Sequence, residues 1–228
     1  KGKGHLRRCL AIRKNLQGKF FWFIDHKDTS LEKEISQEDN IFYENSPNEF
    51  GKLKKFITNN TLNTILIDSY NINYNDITKV KNIPTAIIID EDIKVKANII
   101  ICSQPIKLKH IDGTRYLSGP KYAPISDEFC YDKKVKKDQV ILISFGSVDS
   151  IGITLNVIQA IKNIFLNKKY DFKIFITLGK DSPIIQQVKS SIRMFTSFKL
   201  IIDSPNMKKI YSESILCIGA PGFSFLER

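Results

Sequence analysis

Short runs of β-branched and aromatic residues recur along this chain, each ending at polar or glycine residues. They occupy residues 20–25, 64–68 (TILID), 85–90 (TAIIID), 98–102, 140–145 (VILISF), 172–177, 199–203 and 215–219. Runs this short and this uniformly apolar are what strands buried on both faces of a parallel sheet require. Between several of them the apolar residues change to helical spacing. Leu6, Leu10, Ile12 and Leu16 form one stripe, and Leu53, Phe56 and Ile57 a second. Leu155, Ile158, Ile161, Ile164 and Phe165 form a third. Strands alternating with helices predict βαβ units in an α/β fold.

The alternation breaks at residues 130–139 (CYDKKVKKDQ), a charged segment with no hydrophobic pattern beyond Val135, and restarts at Val140. The expectation is two Rossmann-like domains with parallel sheets, residues 1–137 and 138–228. A length of 228 residues suits that division, since domains commonly run to roughly 100–200 residues. A hydrophobic fraction of 42% against 26% charged residues is that of a globular protein and argues against disorder. The sequence opens on the glycine loop Lys1-Gly2-Lys3-Gly4 with no strand before it, and stops after Glu227-Arg228 where a helix should begin. It is therefore expected to be truncated at both ends relative to a longer polypeptide.

Lys and Arg number 35 against 24 Asp and Glu, a net charge of +11. A basic balance draws anions. The densest basic run, residues 133–137, is short, and no arginine-rich stripe exists. A phosphorylated small molecule is thus expected as partner rather than nucleic acid. No uncharged apolar run approaches the roughly 18–20 residues that span a bilayer, so membrane insertion is not expected. Cys9, Cys102, Cys130 and Cys217 lie far apart, with neither a CxxC pair nor a zinc spacing. That usage predicts a reduced, cytoplasmic protein, and no cofactor is expected. A monomer is expected.

Histidine chemistry must come from His5, His26 or His110. His5 follows Gly2 and Gly4 at the start of a predicted helix, where free backbone N–H groups and the helix dipole act. Arg8 follows one turn later. Both effects favour neutral imidazole, the form that serves as a general base. Asp68-Ser69-Tyr70 ends a strand, where open α/β sheets place ligands, and Asp68 there is able to orient a histidine. Asp90-Glu91-Asp92 ends the next strand and reads either as solvated acids or as a divalent-cation site. Residues 144–149 (SFGSVD) join a strand to a predicted helix, and residues 220–224 (APGFS) repeat the arrangement, with Glu227 one turn on. Small residues and backbone donors in such loops suit a diphosphate, and a carboxylate at Glu227 suits ribose hydroxyls.

Taken together, these blocks resemble a known family. Gly2-x-Gly4-His5-x-x-Arg8-Cys9-Leu10, Ile67-Asp68-Ser69-Tyr70, Ile89-Asp90-Glu91-Asp92 and Gly119-Pro120-Lys121-Tyr122-Ala123-Pro124 with Glu128-Phe129 occur in order. Residues 144–149 and 218–228 complete the set. The pattern resembles the nucleotide-sugar hydrolases of pseudaminic acid biosynthesis and related spore-coat polysaccharide proteins. The resemblance implies a glycosyltransferase-B-like architecture and a metal-independent reaction. In it, water attacks the anomeric carbon of a UDP-linked deoxyamino sugar and UDP leaves. It implies His5 as the base, and Gly4, Arg8, Asp68, Tyr70, Lys121 and Tyr122 around the sugar. It further implies Gly146, Ser147, Asp149, Gly222, Phe223, Ser224 and Glu227 around the nucleotide. A glycosyltransferase of the same architecture and a non-catalytic nucleotide-sugar binding module remain open alternatives.

Overall fold

A computed structural model of the chain describes residues 4–24, 32–35, 37–43, 51–70, 83–129, 139–167 and 171–228. His26, Cys130 and most of the expected linker at 130–139 lie outside the described residues. Two compact units form, Gly4–Ser126 and Asp127–Arg228.

The first unit opens with helix α1 (Gly4–Arg13), followed by strands β1 (Phe21–Ile24) and β2 (Asn40–Tyr43), which pair in parallel. Helix α2 (Gly51–Asn59) leads into β3 (Ile65–Ile67), β4 (Thr85–Ile88), β5 (Ile99–Cys102) and β6 (Arg115–Ser118). These four make a parallel sheet in the order β3-β4-β5-β6. Ile57 of α2 packs with Ile67, Ile87, Val95, Ile100 and Cys102 in its core. Phe56, beside it, meets Phe21, Phe23 and Phe42, so α2 packs on both sheets.

Here the sequence reading needs two corrections. The links from β4 to β5 and from β5 to β6 contain no helix; they run extended and irregular. Val95, Ala97 and Leu108 turn inward there, while Lys94, Lys96, Lys107 and Lys109 stay exposed. The spacing of these residues is two, not 3.6, so they cover the sheet as straps rather than as helices. Leu16 also lies beyond α1 and is exposed, and the buried face of α1 is made by Arg8, Leu10 and Ala11.

The second unit alternates more regularly. It contains β7 (Val140–Ser144), α3 (Ile153–Asn167), β8 (Lys173–Leu178), α4 (Ile185–Ile192) and β9 (Phe198–Ile202), then α5 (Met207–Glu213), β10 (Ser214–Gly219) and α6 (Phe223–Glu227). All four strands are parallel, in the order β10-β7-β8-β9. Ile143, Ile158, Ile174, Ile176 and Val188 are its fully buried centre. The unit begins at Asp127, about ten residues before the expected boundary near 137. The reason is Phe129, which is buried and lies 5.9 Å from the ring of buried Tyr211 on α5. On α3, Ile164 is exposed and the buried stripe is Thr154, Ile158, Ile161 and Lys162. Lys162 reaches Ser191 in the last turn of α4, donating to its carbonyl and, at 2.8 Å, to its hydroxyl. A cation at that position satisfies carbonyls left free at a helix C-terminus. No described helix is long and apolar enough to cross a membrane.

Candidate active site

Strands β3 and β4 are parallel neighbours, with Ile67 paired to Ile87. Asp68 follows the last residue of β3 and Asp90 stands two residues past β4, so both carboxylates emerge along one row of strand C-termini. Helix α1 lays Arg8 across them. Arg8 Nε donates to Asp68 Oδ2 at 2.9 Å and Nη2 to Asp68 Oδ1 at 2.7 Å, while Nη1 donates to Asp90 Oδ1 at 2.6 Å. The first two bonds form the fork that guanidinium and carboxylate geometry favours. Arg8 is 4% exposed and the Asp68 side chain 2%. Burial opposes the Arg8 charge, but the bonds to Asp90 and the charge of Asp68 overcome it and raise the pKa of the guanidinium.

His5 stands one turn before Arg8, and its Nδ1 lies 2.6 Å from Asp68 Oδ1. Arg8 Nη2 is also 3.0 Å from that nitrogen. An arginine nitrogen can only donate, so the two contacts are not both hydrogen bonds. The shorter, charge-assisted one takes the proton: Nδ1–H donates to Asp68, and in neutral imidazole Nε2 keeps its lone pair. His5 is about one-third exposed, so this nitrogen belongs to a side chain that solvent reaches. The Tyr70 ring meets His5 edge-on with centroids 4.5 Å apart, and the Tyr70 hydroxyl donates to Asp90 Oδ2. Burial alone would raise the Asp90 carboxyl. Hydrogen bonds from Arg8 and Tyr70, with the Arg8 charge, outweigh it and hold the group below its ordinary value. Cys9 also lies here, its Sγ 4.0 Å from Asp68 Oδ2. Burial, then the charge of Asp68, push that thiol up to about 12, so it fills space as a protonated thiol.

Thus His5, Arg8, Asp68 and Tyr70 are brought together as one network. Asp90, which the sequence leaves open between a solvated acid and a cation ligand, joins them as the shared acceptor of Arg8 and Tyr70. Its placement also bears on the cation-site reading, because Asp92 is engaged elsewhere, accepting from the Lys109 backbone at 3.0 Å. Among the described residues no group of three or more His, Cys, Asp or Glu side chains is placed to hold a metal. Gly4 opens α1 with open space where a Cβ would stand. Lys121 and Tyr122 sit in the 3-10 turn Pro120–Tyr122 after β6, two strands beyond β4, with the Lys121 ammonium 4.8 Å over the Tyr122 ring.

In the second unit, Gly146 follows β7 with φ of 93°, a conformation that excludes most side chains. The Ser147 carbonyl accepts from Gly179 at 2.7 Å, tying this loop to the one after β8. Asp149, expected among the nucleotide ligands, follows in the same loop. Its φ of 41° turns the carboxylate back onto α3, where it accepts from Ile153 at 3.1 Å and Thr154 at 2.9 Å. It is a helix cap, and its buried carboxylate occupies the N–H groups a phosphate would use. Gly222 precedes α6, Phe223 and Ser224 form its first turn, and Glu227 is buried at its end. Arg228 Nη2 donates to Ala220 at 3.0 Å.

No protein-family model matches this sequence, and no curated protein matches it. The chemical content of the site therefore rests on its own geometry. An imidazole with Nδ1 pinned by a carboxylate, and with no Nε2 partner among the described residues, is arranged to take a proton from water or a hydroxyl. The cation formed is then stabilised by Asp68 at 2.6 Å. With His5 neutral, the formal charges of Arg8, Asp68 and Asp90 sum to −1, which suits positive charge at a reacting carbon better than it suits a phosphate.

Proposed function

We propose that this chain hydrolyses a nucleotide-linked sugar, with His5 as the general base that activates water against the anomeric carbon. The observation that carries the reading is the 2.6 Å bond from His5 Nδ1 to Asp68, itself clamped by Arg8, at the C-terminal ends of parallel strands. The ordered motif blocks that resemble UDP-deoxyamino-sugar hydrolases support the same chemistry and suggest its substrate. In this reading Tyr70 contacts the sugar, while Gly146, Ser147, Gly222, Phe223, Ser224 and Glu227 of the second unit serve the nucleotide. The network's negative sum disfavours a diphosphate beside His5, which agrees with assigning it to those loops. Departure of the nucleoside diphosphate leaves an oxocarbenium-like carbon, and water adds to it as His5 takes the proton.

The test is incubation with a panel of UDP- and CMP-linked deoxyamino sugars, with released nucleotide followed by NMR in the presence of EDTA. Release of free UDP with sugar of inverted configuration is the expected result. His5→Asn should lower turnover by roughly 10²–10⁴-fold while nucleotide affinity changes only a few-fold. Undiminished turnover in that variant would remove His5 from the mechanism. Transfer to an added alcohol with no hydrolysis would identify a transferase, and UDP binding without any release a binding module.

A further inference from the structure

Asp90 is the one member of the network with no direct contact to the His5 ring among the bonds described above. Its two oxygens are divided: Oδ1 accepts from Arg8 Nη1 at 2.6 Å, and Oδ2 accepts from the Tyr70 hydroxyl. Arg8 is held independently by its fork to Asp68. Tyr70 is different. It is 63% exposed, and among the described residues its ring contact is the edge-on one with His5. A tyrosine so exposed, three residues past a strand end, would otherwise sample several rotamers.

We propose that Asp90 is a positioning residue, which anchors the Tyr70 hydroxyl so that the ring stands edge-on to His5 and forms one wall of the sugar site. This rests on the hydrolase reading for the identity of the ligand, but not for the anchoring itself. The state of the phenol agrees with it. Partial burial and the hydrogen bond to Asp90 push Tyr70 up to about 12, with the charges of Asp90 and Asp68 acting the same way and that of Arg8 opposing. Among the described residues, Asp90, Asp68 and Arg8 act on the phenol by charge, the His5 ring meets it edge-on, and Asp90 accepts its hydroxyl proton. An amide at position 90 has one acceptor oxygen where the carboxylate has two, so it cannot accept from both Arg8 and Tyr70 in the same way.

NMR of the whole chain tests the anchoring directly, using the Tyr70 Cζ resonance and the cross-relaxation between the Tyr70 and His5 rings. In the native protein the phenol should remain mostly protonated at about pH 10.5, above the ordinary tyrosine value near 10. In Asp90→Asn its midpoint should fall by about one pH unit, and ring-to-ring cross-relaxation should weaken at least about two-fold as the side chain swings away. The His5 proton should stay on Nδ1, because Asp68 is untouched. Tyr70→Phe is a second, conservative variant that should also weaken cross-relaxation to His5, since only the hydroxyl is lost. Unchanged midpoint and cross-relaxation in Asp90→Asn, or unchanged cross-relaxation in Tyr70→Phe if the first variant does not fold, would overturn the proposal. With a hydrolysed sugar nucleotide in hand, each variant should lower kcat/KM about ten-fold, mainly through KM, and the double variant should be no worse than either. Additive effects would also overturn it. Failure of the native protein to turn over any sugar nucleotide would remove the hydrolase reading and leave the NMR outcome to decide the role of Asp90.

Discussion

Arg8 shows how much of this site depends on a single buried cation. Three of its N–H groups go to two carboxylates, and one of those, Asp68, is the group that holds His5. Replacing it by a shorter, uncharged side chain, Arg8→Leu, leaves a nearly inaccessible carboxylate without the guanidinium. Breaking a buried pair in that way costs about 3–5 kcal/mol, far more than an exposed ion pair is worth. Urea unfolding of the two proteins measures it, and a loss below about 1 kcal/mol would mean that water replaces the guanidinium. Asp90 adds a pH dependence of definite sign. Its folded-state value is lowered, so its contribution is present above the ordinary carboxylate range near 4 and disappears as pH falls through the lowered value. The stability difference between the native protein and Asp90→Asn should therefore be largest near neutrality and shrink on acidification below about pH 4. A difference that grew in acid would mean that Asp90 is carried protonated in the fold. His5, Arg8 and Asp68 were legible in the sequence because a helix start and a strand end are local signals. The burial of Arg8 was not, because an apolar stripe treats every charge as solvent-facing, and only the pairing of β3 with β4 creates the acidic row that draws the side chain inward.

At the level of elements, what the sequence reveals follows burial. The β4, β5, β7 and β8 strands read clearly because they are isoleucine-rich and largely buried. The β2 and β6 strands, NIFY and RYLS, begin or end on polar residues and offer no uniform apolar run, so they were silent. Aspartate in a loop likewise carries no mark that separates a ligand from a cap, so the bonds of Asp149 to Ile153 and Thr154 became visible only once the fold was placed. Gly219 is the opposite case, a residue whose necessity appears only when strands are placed. It pairs with Ser144 across β10 and β7, and a Cβ there would lie 2.1 Å from the Ser144 carbonyl oxygen. Because that atom is backbone, relief requires the strand end to move. Gly219→Ala should cost about 1–3 kcal/mol, as overpacking does, whereas Gly222→Ala, where a Cβ meets open space, should cost much less. Thermal unfolding of the two variants distinguishes them, and equal losses would show that the β10 end adjusts freely.

On the scale of the whole molecule the relevant fact is that the two units have separate cores. Ile57, Ile67, Ile87 and Ile100 belong to one, and Ile143, Ile158, Ile174 and Ile176 to the other, with no residue in common. Hydrophobic stabilisation is local to the surface it buries, so a cavity cut in one core weakens that unit's own strands first. Ile100 is 1% exposed at the centre of its sheet and Ile143 is fully buried in its own. Truncating either to alanine removes comparable apolar volume and should cost about 2–5 kcal/mol. The expected consequence differs in place rather than in size. In Ile100→Ala the amides of β4 and β5 should lose hydrogen-exchange protection while those of β7 and β8 keep theirs, and Ile143→Ala should give the reverse. This matters for the proposed chemistry, because the His5 network lies wholly in the first unit and the Gly146 and Gly222 loops in the second. Under conditions where Ile143→Ala has lost protection in β7 and β8, the His5 Nδ1 resonance should still report its bond to Asp68. Simultaneous loss of protection in both sheets, together with that resonance, would show that the units unfold as one and that the two cores do not act as separate sources of stability.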